Sequence, residues 1–372
     1  MDIRDFRLER YMAQHEFSAP FLLCSSDCET LSIQDLLTFE DQSYENFLNL
    51  KLGYTEAPGS PELREEISAW YNAIDSNDVI VTSGAEETIF IAMHVLLRSG
   101  DHVIVQMPAY QSLHEIPKSI GCHVSPWHMV EKNGAWHLDL EILHDLITPN
   151  TKVLVINSPH NPTGYQFSAS DWAEIEKICS DHSIFIISDE VYRGIEHNPD
   201  TALNPMADMS ESALSIGVMS KSLGLAGLRI GWVASQNEEF RKKFQAFKDY
   251  TTICNSGPSE YLARLALKYK DQIIKNNLSI IHENMDILHT FFKSYADQVT
   301  WSAPIAGSTA FPRLVSDTPV ETFCDKVRKD TGVLLLPGTV FHVETPHFRL
   351  GYGRKNMPDI LGRFEQYLQS RI

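Results

Sequence analysis

Between residues 79 and 234 the chain repeats one pattern: a short apolar, mostly β-branched run, a turn, and then a segment of helical periodicity. The runs are Val79-Ile80-Val81-Thr82, Val103-Ile104-Val105, Val153-Leu154-Val155-Ile156, Ile184-Phe185-Ile186-Ile187, Leu214-Ser215-Ile216-Gly217-Val218 and Ile230-Gly231-Trp232-Val233-Ala234. Runs that are apolar on both faces and alternate with helices predict an α/β fold, a mostly parallel sheet covered by helices. Helices are expected over 62–71, opened by Pro61, over 86–97, up to 120, and from a Ser168 cap to about 182. Outside the repeat, helices are expected over 9–17 and over 32–39 with Ser32 as cap. A long helical region covers 256–295, strands lie near 310–314, 333–336 and 348–352, and a last helix covers 358–370. At 372 residues the chain is long for one core. A large domain over 50–275 and a smaller α+β domain from 1–49 and 276–372 are expected.

Open parallel sheets bind ligands beyond the C-terminal ends of their strands. The polar residues of the repeat fall there. Ser83, Tyr110, Asn161, Asp189, Tyr192 and Lys221 follow five different strands and are expected to converge on one crevice. The net charge of -18 argues against nucleic acid and anionic membrane as partners. No apolar run is long enough for a membrane span, and the N-terminus does not resemble a signal peptide. Six scattered cysteines read as reduced thiols of a cytoplasmic protein, and no histidine or cysteine spacing suggests a metal site.

Lys221 lies in Met219-Ser220-Lys221-Ser222, between two apolar runs, and Arg229 follows eight positions later. A lysine so placed can act as an amine nucleophile or base; the plain reading is a loop lysine whose ammonium reaches water. Ser83-Gly84-Ala85 opens a helix directly after a strand, where free N–H groups favour a phosphate. Arg229 and Ser220 offer further phosphate contacts, although Arg229 fits a structural ion pair equally well. Asp189 ends an apolar strand and needs a cationic or donor partner, which a protonated heteroaromatic nitrogen or a nearby arginine would provide. Asn161 and Tyr192 are neutral donors, and Tyr110 offers a flat face for ring stacking. Asn161-Pro162-Thr163-Gly164 is also simply a favourable turn. Arg349 suits a carboxylate, with Arg354 and Arg313 as competitors. Together these are the parts needed to hold pyridoxal phosphate as a Schiff base.

On Ser220-Lys221 followed by Gly227-Leu228-Arg229-Ile230-Gly231, on Asn161-Pro162-Thr163-Gly164 and on Asp189-Glu190-Val191-Tyr192, the sequence resembles the class I/II aminotransferases, the fold-type I pyridoxal-phosphate enzymes. The resemblance implies that Lys221 forms the Schiff base and moves the substrate Cα proton. Asp189 would pair with the pyridine nitrogen, Asn161 and Tyr192 with the ring oxygen, and Tyr110 would stack on the ring. Ser83, Gly84, Ala85, Glu86, Ser220 and Arg229 would hold the phosphate. Arg349, beside Asn161, would bind the substrate carboxylate. Tyr54 would reach the cofactor of a second subunit, so a homodimer is expected. Val218 stands where many members carry a phosphate-binding serine.

Pro108-Ala109-Tyr110-Gln111-Ser112-Leu113, Pro159-His160-Asn161-Pro162, Gly307-Ser308-Thr309-Ala310-Phe311-Pro312-Arg313 and the stretch around Ser25-Ser26 resemble the capreomycidine-synthase-type branch. That resemblance implies elimination and cyclisation on an arginine derivative. Glu9, Glu16, Asp27 and Glu29 would then receive a cationic side chain; in so acidic a chain, solvated surface acids are the simpler expectation. Three functions compete: an aminotransferase, a lyase or cyclase with the same cofactor, and a non-catalytic pyridoxal-phosphate-binding regulator. Such regulators usually carry an N-terminal DNA-binding domain, for which there is no room before Tyr54.

Overall fold

In the computed structural model, which describes residues 3–370, seven strands form the central sheet. They are β1 (Val79–Thr82), β2 (His102–Met107), β3 (His123–His128), β4 (Thr151–Asn157), β5 (Phe185–Asp189), β6 (Ala213–Val218) and β7 (Gly231–Ala234). Their order across the sheet is β1-β7-β6-β5-β4-β2-β3. β7 runs antiparallel to β1 and β6, and every other pairing is parallel. Its direction follows from the Lys221 loop. That loop returns from β6 to β7 without the long helical crossover that a parallel neighbour requires.

The six expected runs are strands, and most are buried at every position, as the apolar pattern requires. β3 was not anticipated. Its sequence His123-Val124-Ser125-Pro126-Trp127-His128 buries only Trp127, and Pro126 lacks the N–H that an inner strand needs. Both features suit the sheet edge it occupies. The long helical region 256–295 divides at Tyr269 into Gly257–Lys268 and Lys270–Ser294, where the Tyr269 ring packs on Phe39.

Three helices bear on the strand ends: α1 (Arg7–His15), α2 (Ala85–Leu96) and α3 (Ser112–Ile120). α1 starts and stops two residues earlier than expected. It buries Leu8 against Phe311, Leu334, Leu336 and Phe341. It is tied down at Arg7, whose N–H donates to Gln111 Oε1 at 2.9 Å, and at Tyr11, whose hydroxyl donates to the Leu335 carbonyl at 3.0 Å.

After α1, Phe21–Leu22 pairs in parallel with Val333–Leu334, and the chain then runs as a strap over the Lys221 loop. The Gly351 N–H donates to the Leu23 carbonyl at 2.7 Å, Glu29 N–H to Gly353 at 2.9 Å, and Cys28 N–H to Lys221 at 3.3 Å. Gly351 belongs to β8 (Phe348–Gly351), the middle strand of a three-stranded antiparallel sheet with Thr309–Ala310 and Leu336–Pro337. Bare glycines let the strap lie this close: a Cβ on Gly351 would overlap the Ser25 carbonyl, and one on Gly353 would stand 2.6 Å from the Asp27 carbonyl. Gly351→Ala should therefore push against backbone that cannot turn aside. The expected loss in urea unfolding is about 1–3 kcal/mol, the usual cost of overpacking; an unchanged midpoint would show that the strap is loose.

Candidate active site

The strand ends open into one cleft of about 370 Å³, roofed by α1 and the strap. Register aligns the central ends, since Asn157 of β4 pairs with Asp189 of β5. The cleft is lined by Tyr110, Asn161, Asp189, Tyr192, Ser220, Lys221, Arg229 and Arg349, and by Ala85 and Glu86 at the start of α2. These predicted residues, spread over 265 positions of sequence (85 to 349), are brought together.

Asp189 is only 5% exposed. One carboxyl oxygen accepts the Val191 N–H at 3.3 Å, and no cation lies within ion-pair distance among the described residues. Burial pushes its pKa up to about 7. Glu190, next in sequence, serves structure instead: it accepts from Ser215 Oγ at 2.7 Å and from the Met206 N–H at 2.9 Å. The Tyr192 hydroxyl, on a side chain 2% exposed, has no hydrogen-bond partner among the described residues. Lys221 Nζ stands 5.9 Å from the Tyr192 ring centre and donates to Ser26 Oγ at 2.8 Å.

Asn161 is held by its own turn. His160 bonds the Pro108 carbonyl through Nε2 and Thr163 Oγ1 through Nδ1, both at 2.8 Å, and the Asn161 N–H donates to Asn157 Oδ1 at 2.8 Å. Sequence reasoning missed Asn157; a lone amide ending the apolar β4 run was the available signal. Arg349 is 4% exposed. It donates from Nε and Nη2 to the Cys24 carbonyl at 3.1 and 2.9 Å, and from Nη1 to Asn161 Oδ1 at 3.2 Å. No carboxylate faces it among the described ion pairs. Its competitors are otherwise engaged. Arg354 grips Asp27 with two bonds, at 3.2 and 2.8 Å, and Arg313 lines a separate groove.

At the start of α2, Gly84 has φ +88° and lacks the Cβ that would come within 2.7 Å of the Arg229 guanidinium. A Cβ on Gly231 would stand 2.7 Å from the Ala85 nitrogen. Two glycines thus bring Arg229 against the first N–H groups of a twelve-residue helix, an arrangement suited to an anion. Three of the predicted cofactor residues do not line the cleft. Ser83 is turned into the helix start, where its N–H donates to Glu87 Oε2 at 2.6 Å. Gly84 acts through its missing side chain. Tyr54 is 95% exposed and stands outside the cleft of its own chain. Val218 lines the cleft and offers no hydrogen bond.

The surface expectation for the N-terminal acids holds only in part: Glu9 is exposed, and Glu16 and Asp27 are half-buried. All three line the cleft, while Glu29 turns away and accepts the Lys355 N–H at 2.8 Å. Glu9 accepts from the Tyr110 hydroxyl at 3.0 Å. Loss of solvent, reinforced by the nearby Glu9, raises the pKa of Glu16. The docking of α1 places Glu9 and Glu16 and the strap places Asp27, and no local pattern encodes either. The metal expectation also missed a cluster distant in sequence. His114, Glu115 and His342 offer ligand atoms within 4.8 Å of one another, but Lys118 and Arg4 already occupy the Glu115 carboxylate.

The site fits pyridoxal phosphate on three observations: an uncompensated buried carboxyl for a protonated ring nitrogen, an unpartnered buried hydroxyl for the ring oxygen, and a glycine-lined helix start with Arg229 for the phosphate. A family model described as aminotransferase class I and II matches residues 21–361. Capreomycidine synthase of Streptomyces vinaceus is 26% identical over 347 residues, 93% of this chain and 88% of that protein. The crystal structure of a pyridoxal-phosphate-dependent aminotransferase from Streptococcus suis 89-1591 superposes with a TM-score of 0.93 at 31% identity, covering 100% of this chain and 99% of that one. The pyridoxal-phosphate-dependent cyclase OrfR superposes with a TM-score of 0.91 at 26% identity, covering 100% and 99% of the two chains.

Because the pKa of Asp189 is raised, its contribution to the stability of the cofactor-free protein is full below about pH 4. That contribution is lost as pH rises through about 7. Asp189→Asn cannot ionise and should flatten the decline, whose slope is at most about 1.4 kcal/mol per pH unit. Urea unfolding of wild-type and variant protein at a series of pH values checks this; parallel curves would mean that Asp189 already has a partner.

Proposed function

The chain belongs to the class I and II aminotransferase family, and from that premise we propose that it is a pyridoxal-phosphate-dependent aminotransferase whose donor is an amino acid with a cationic side chain. Bound in the cleft, pyridoxal phosphate supplies an aldehyde for amino groups and a ring that draws electrons from the substrate Cα. The protein's own residues do the rest. Lys221 would hold the aldehyde and would accept the substrate Cα proton on Nζ. Asp189 would keep a proton on the ring nitrogen, Tyr192 and Asn161 would serve the ring oxygen, and Tyr110 would back the ring. Ala85, Glu86, Ser220 and Arg229 would hold the phosphate, and Arg349 would bind the substrate carboxylate.

The observation that carries the choice of substrate is the charge left over in the cleft. Lys221, Arg229 and Arg349 are committed by these roles, and Arg354 is neutralised by Asp27. Glu9 on α1 and Glu16 just past its end both line the cleft, and no cation pairs with either among the described ion pairs. A guanidinium or ammonium on the substrate would relieve their mutual repulsion. Among the described residues that line the cleft no cation remains for an acidic side chain, which favours a monocarboxylic 2-oxo acid as acceptor. A second reading, elimination with cyclisation, is supported by the whole-length similarity to capreomycidine synthase and the cyclase OrfR. Both reactions start with loss of the Cα proton to Lys221.

A screen of amino acids by absorbance of the bound cofactor tests both readings, with arginine, hydroxylated arginines, lysine, alanine and glutamate as probes. Cationic amino acids should perturb the band most. Conversion to the amine form marks transamination, and a retained aldehyde form with released product marks elimination. Glu16→Gln should raise KM for cationic donors about tenfold, equivalent to about 1.4 kcal/mol. Its KM for alanine should stay unchanged. A preference for glutamate would sink the substrate reading.

Quaternary structure belongs to the same proposal. Tyr54 and Leu52 are 95% and 84% exposed and Tyr250 is 92% exposed, and a 3.1 Å bond from Thr55 Oγ1 to the Asn255 carbonyl joins the segments that carry them. Exposed aromatic and aliphatic side chains of this size mark an interface. We place a second copy of the chain there, with Tyr54 reaching its neighbour's cofactor. Sedimentation should give a dimer, and Tyr54→Phe should weaken cofactor retention; a monomer with full cofactor content contradicts this.

A further inference from the structure

We propose that Ser26 is a positioning residue for the Lys221 amine, holding it in register through both of its protonation states. The inference rests on the reading of Lys221 as the cofactor-binding lysine, and it adds a residue from a distant part of the chain to the proton-transfer machinery.

Ser26 Oγ is the one hydrogen-bond partner of Lys221 Nζ among the described residues, at 2.8 Å and across 195 positions of sequence. The strap that carries it is fixed on both sides. The Ser26 carbonyl accepts from Ser308 Oγ at 2.8 Å, and two residues later the Cys28 N–H donates to the carbonyl of Lys221 itself at 3.3 Å. Gly351 and Gly353 let the strap backbone lie against β8 and the residues after it, where any side chain would push it away. The hydroxyl is thus tied to the lysine's backbone as well as to its amine, and the two groups cannot drift apart independently.

A hydroxyl suits this place better than a carboxylate. It offers one donor and two acceptor positions and turns freely about its bond. It therefore accepts from an ammonium and donates to a free amine without moving its oxygen. A carboxylate can only accept, so it would favour the charged amine and hold back the base. The next residue, Asp27, is such a carboxylate, and Arg354 clamps it away from the lysine with two bonds. Without Ser26, Lys221 Nζ has no described partner to define its position. Displacement of a proton-transfer group by about 1 Å costs on the order of a hundredfold in rate.

The test uses wild-type, Ser26→Ala and Ser26→Thr proteins loaded with cofactor. Borohydride reduction and peptide mass spectrometry first locate the attachment. If wild-type protein is not labelled at Lys221, the family-based role of Lys221 fails and this proposal falls with it. Three quantities are then measured: cofactor content, amino-acid affinity by absorbance titration, and the rate at which the Cα hydrogen of L-arginine, or of L-alanine as second probe, exchanges in heavy water. Ser26→Ala should slow exchange by about tenfold to a hundredfold while cofactor content and affinity hold within about twofold. Ser26→Thr, which keeps the hydroxyl, should retain most of the exchange rate. Unchanged exchange in Ser26→Ala overturns the proposal. So does a loss matched by cofactor content or affinity, and so does a Ser26→Thr protein as slow as Ser26→Ala.

Discussion

A carboxyl group buried at the end of a sheet strand is unfavourable unless something compensates it. At Asp189 the protein supplies one backbone N–H and, among the described residues, no cation within ion-pair distance. Desolvation dominates the group's chemistry, so a protonated nitrogen brought into the cleft would be held more strongly there than at the surface. The surrounding groups share this incompleteness. The Tyr192 hydroxyl lacks a partner, Arg349 faces no carboxylate, and Arg229 stands at a helix start with no anion among the described ion pairs. Each is a half-made interaction, and together they describe a ligand with a basic ring nitrogen, an oxygen acceptor and an anionic tail.

The fold places these groups by two different means. Sheet register sets Asn157, Asp189 and Ile216 side by side, two residues before Val218, and helix α2 starts where β1 ends. These are local consequences of a strand leading into a turn. The roof is assembled from parts far apart in the chain. α1 and the strap reach the cleft only because Leu8 enters an apolar cluster formed by residues beyond 300 and because glycines at 351 and 353 admit the strap backbone. In the proposed reading, floor residues would hold the cofactor, while the roof residues Glu9, Glu16 and Asp27 would meet the substrate and Ser26 the lysine. Differences among relatives in what they do to an amino acid are expected in the roof.

The legibility of the sequence followed the same division. Apolar runs predicted six strands in a mostly parallel sheet, because burial on both faces leaves a pattern that needs no knowledge of neighbours; the antiparallel β7 and its neighbour β1 are the exceptions. The edge strand β3 left no such pattern, since its partner covers one side only and its polar residues are tolerated by water. Ser83 was misplaced by about one residue's geometry: the N–H it offers is taken by Glu87, and the helix start exposes Ala85 and Glu86 instead. Three acids that read as solvated surface charge line the cleft, because local spacing cannot say which face of α1, or which side of the strap after it, meets the body of the protein. The choice among Arg349, Arg354 and Arg313 was open in the sequence. It turned on place and pairing: Arg313 lines a separate groove, and Arg354 already has the Asp27 carboxylate.

The sequence by itself therefore determined the sheet, the strand-end positions of Lys221, Asp189, Asn161 and Tyr192, and the family resemblance that follows from them. All of these depend on short-range order along the chain. Tertiary structure alone decided which charges are spoken for: Asp27 by Arg354, Glu87 by the Ser83 N–H, Lys221 Nζ by Ser26, and Glu9 and Glu16 by no cation. Pairing of that kind is a matter of distance between segments far apart in sequence. Composition and spacing carry the identities of the groups, and only the folded chain carries the distances that make them partners.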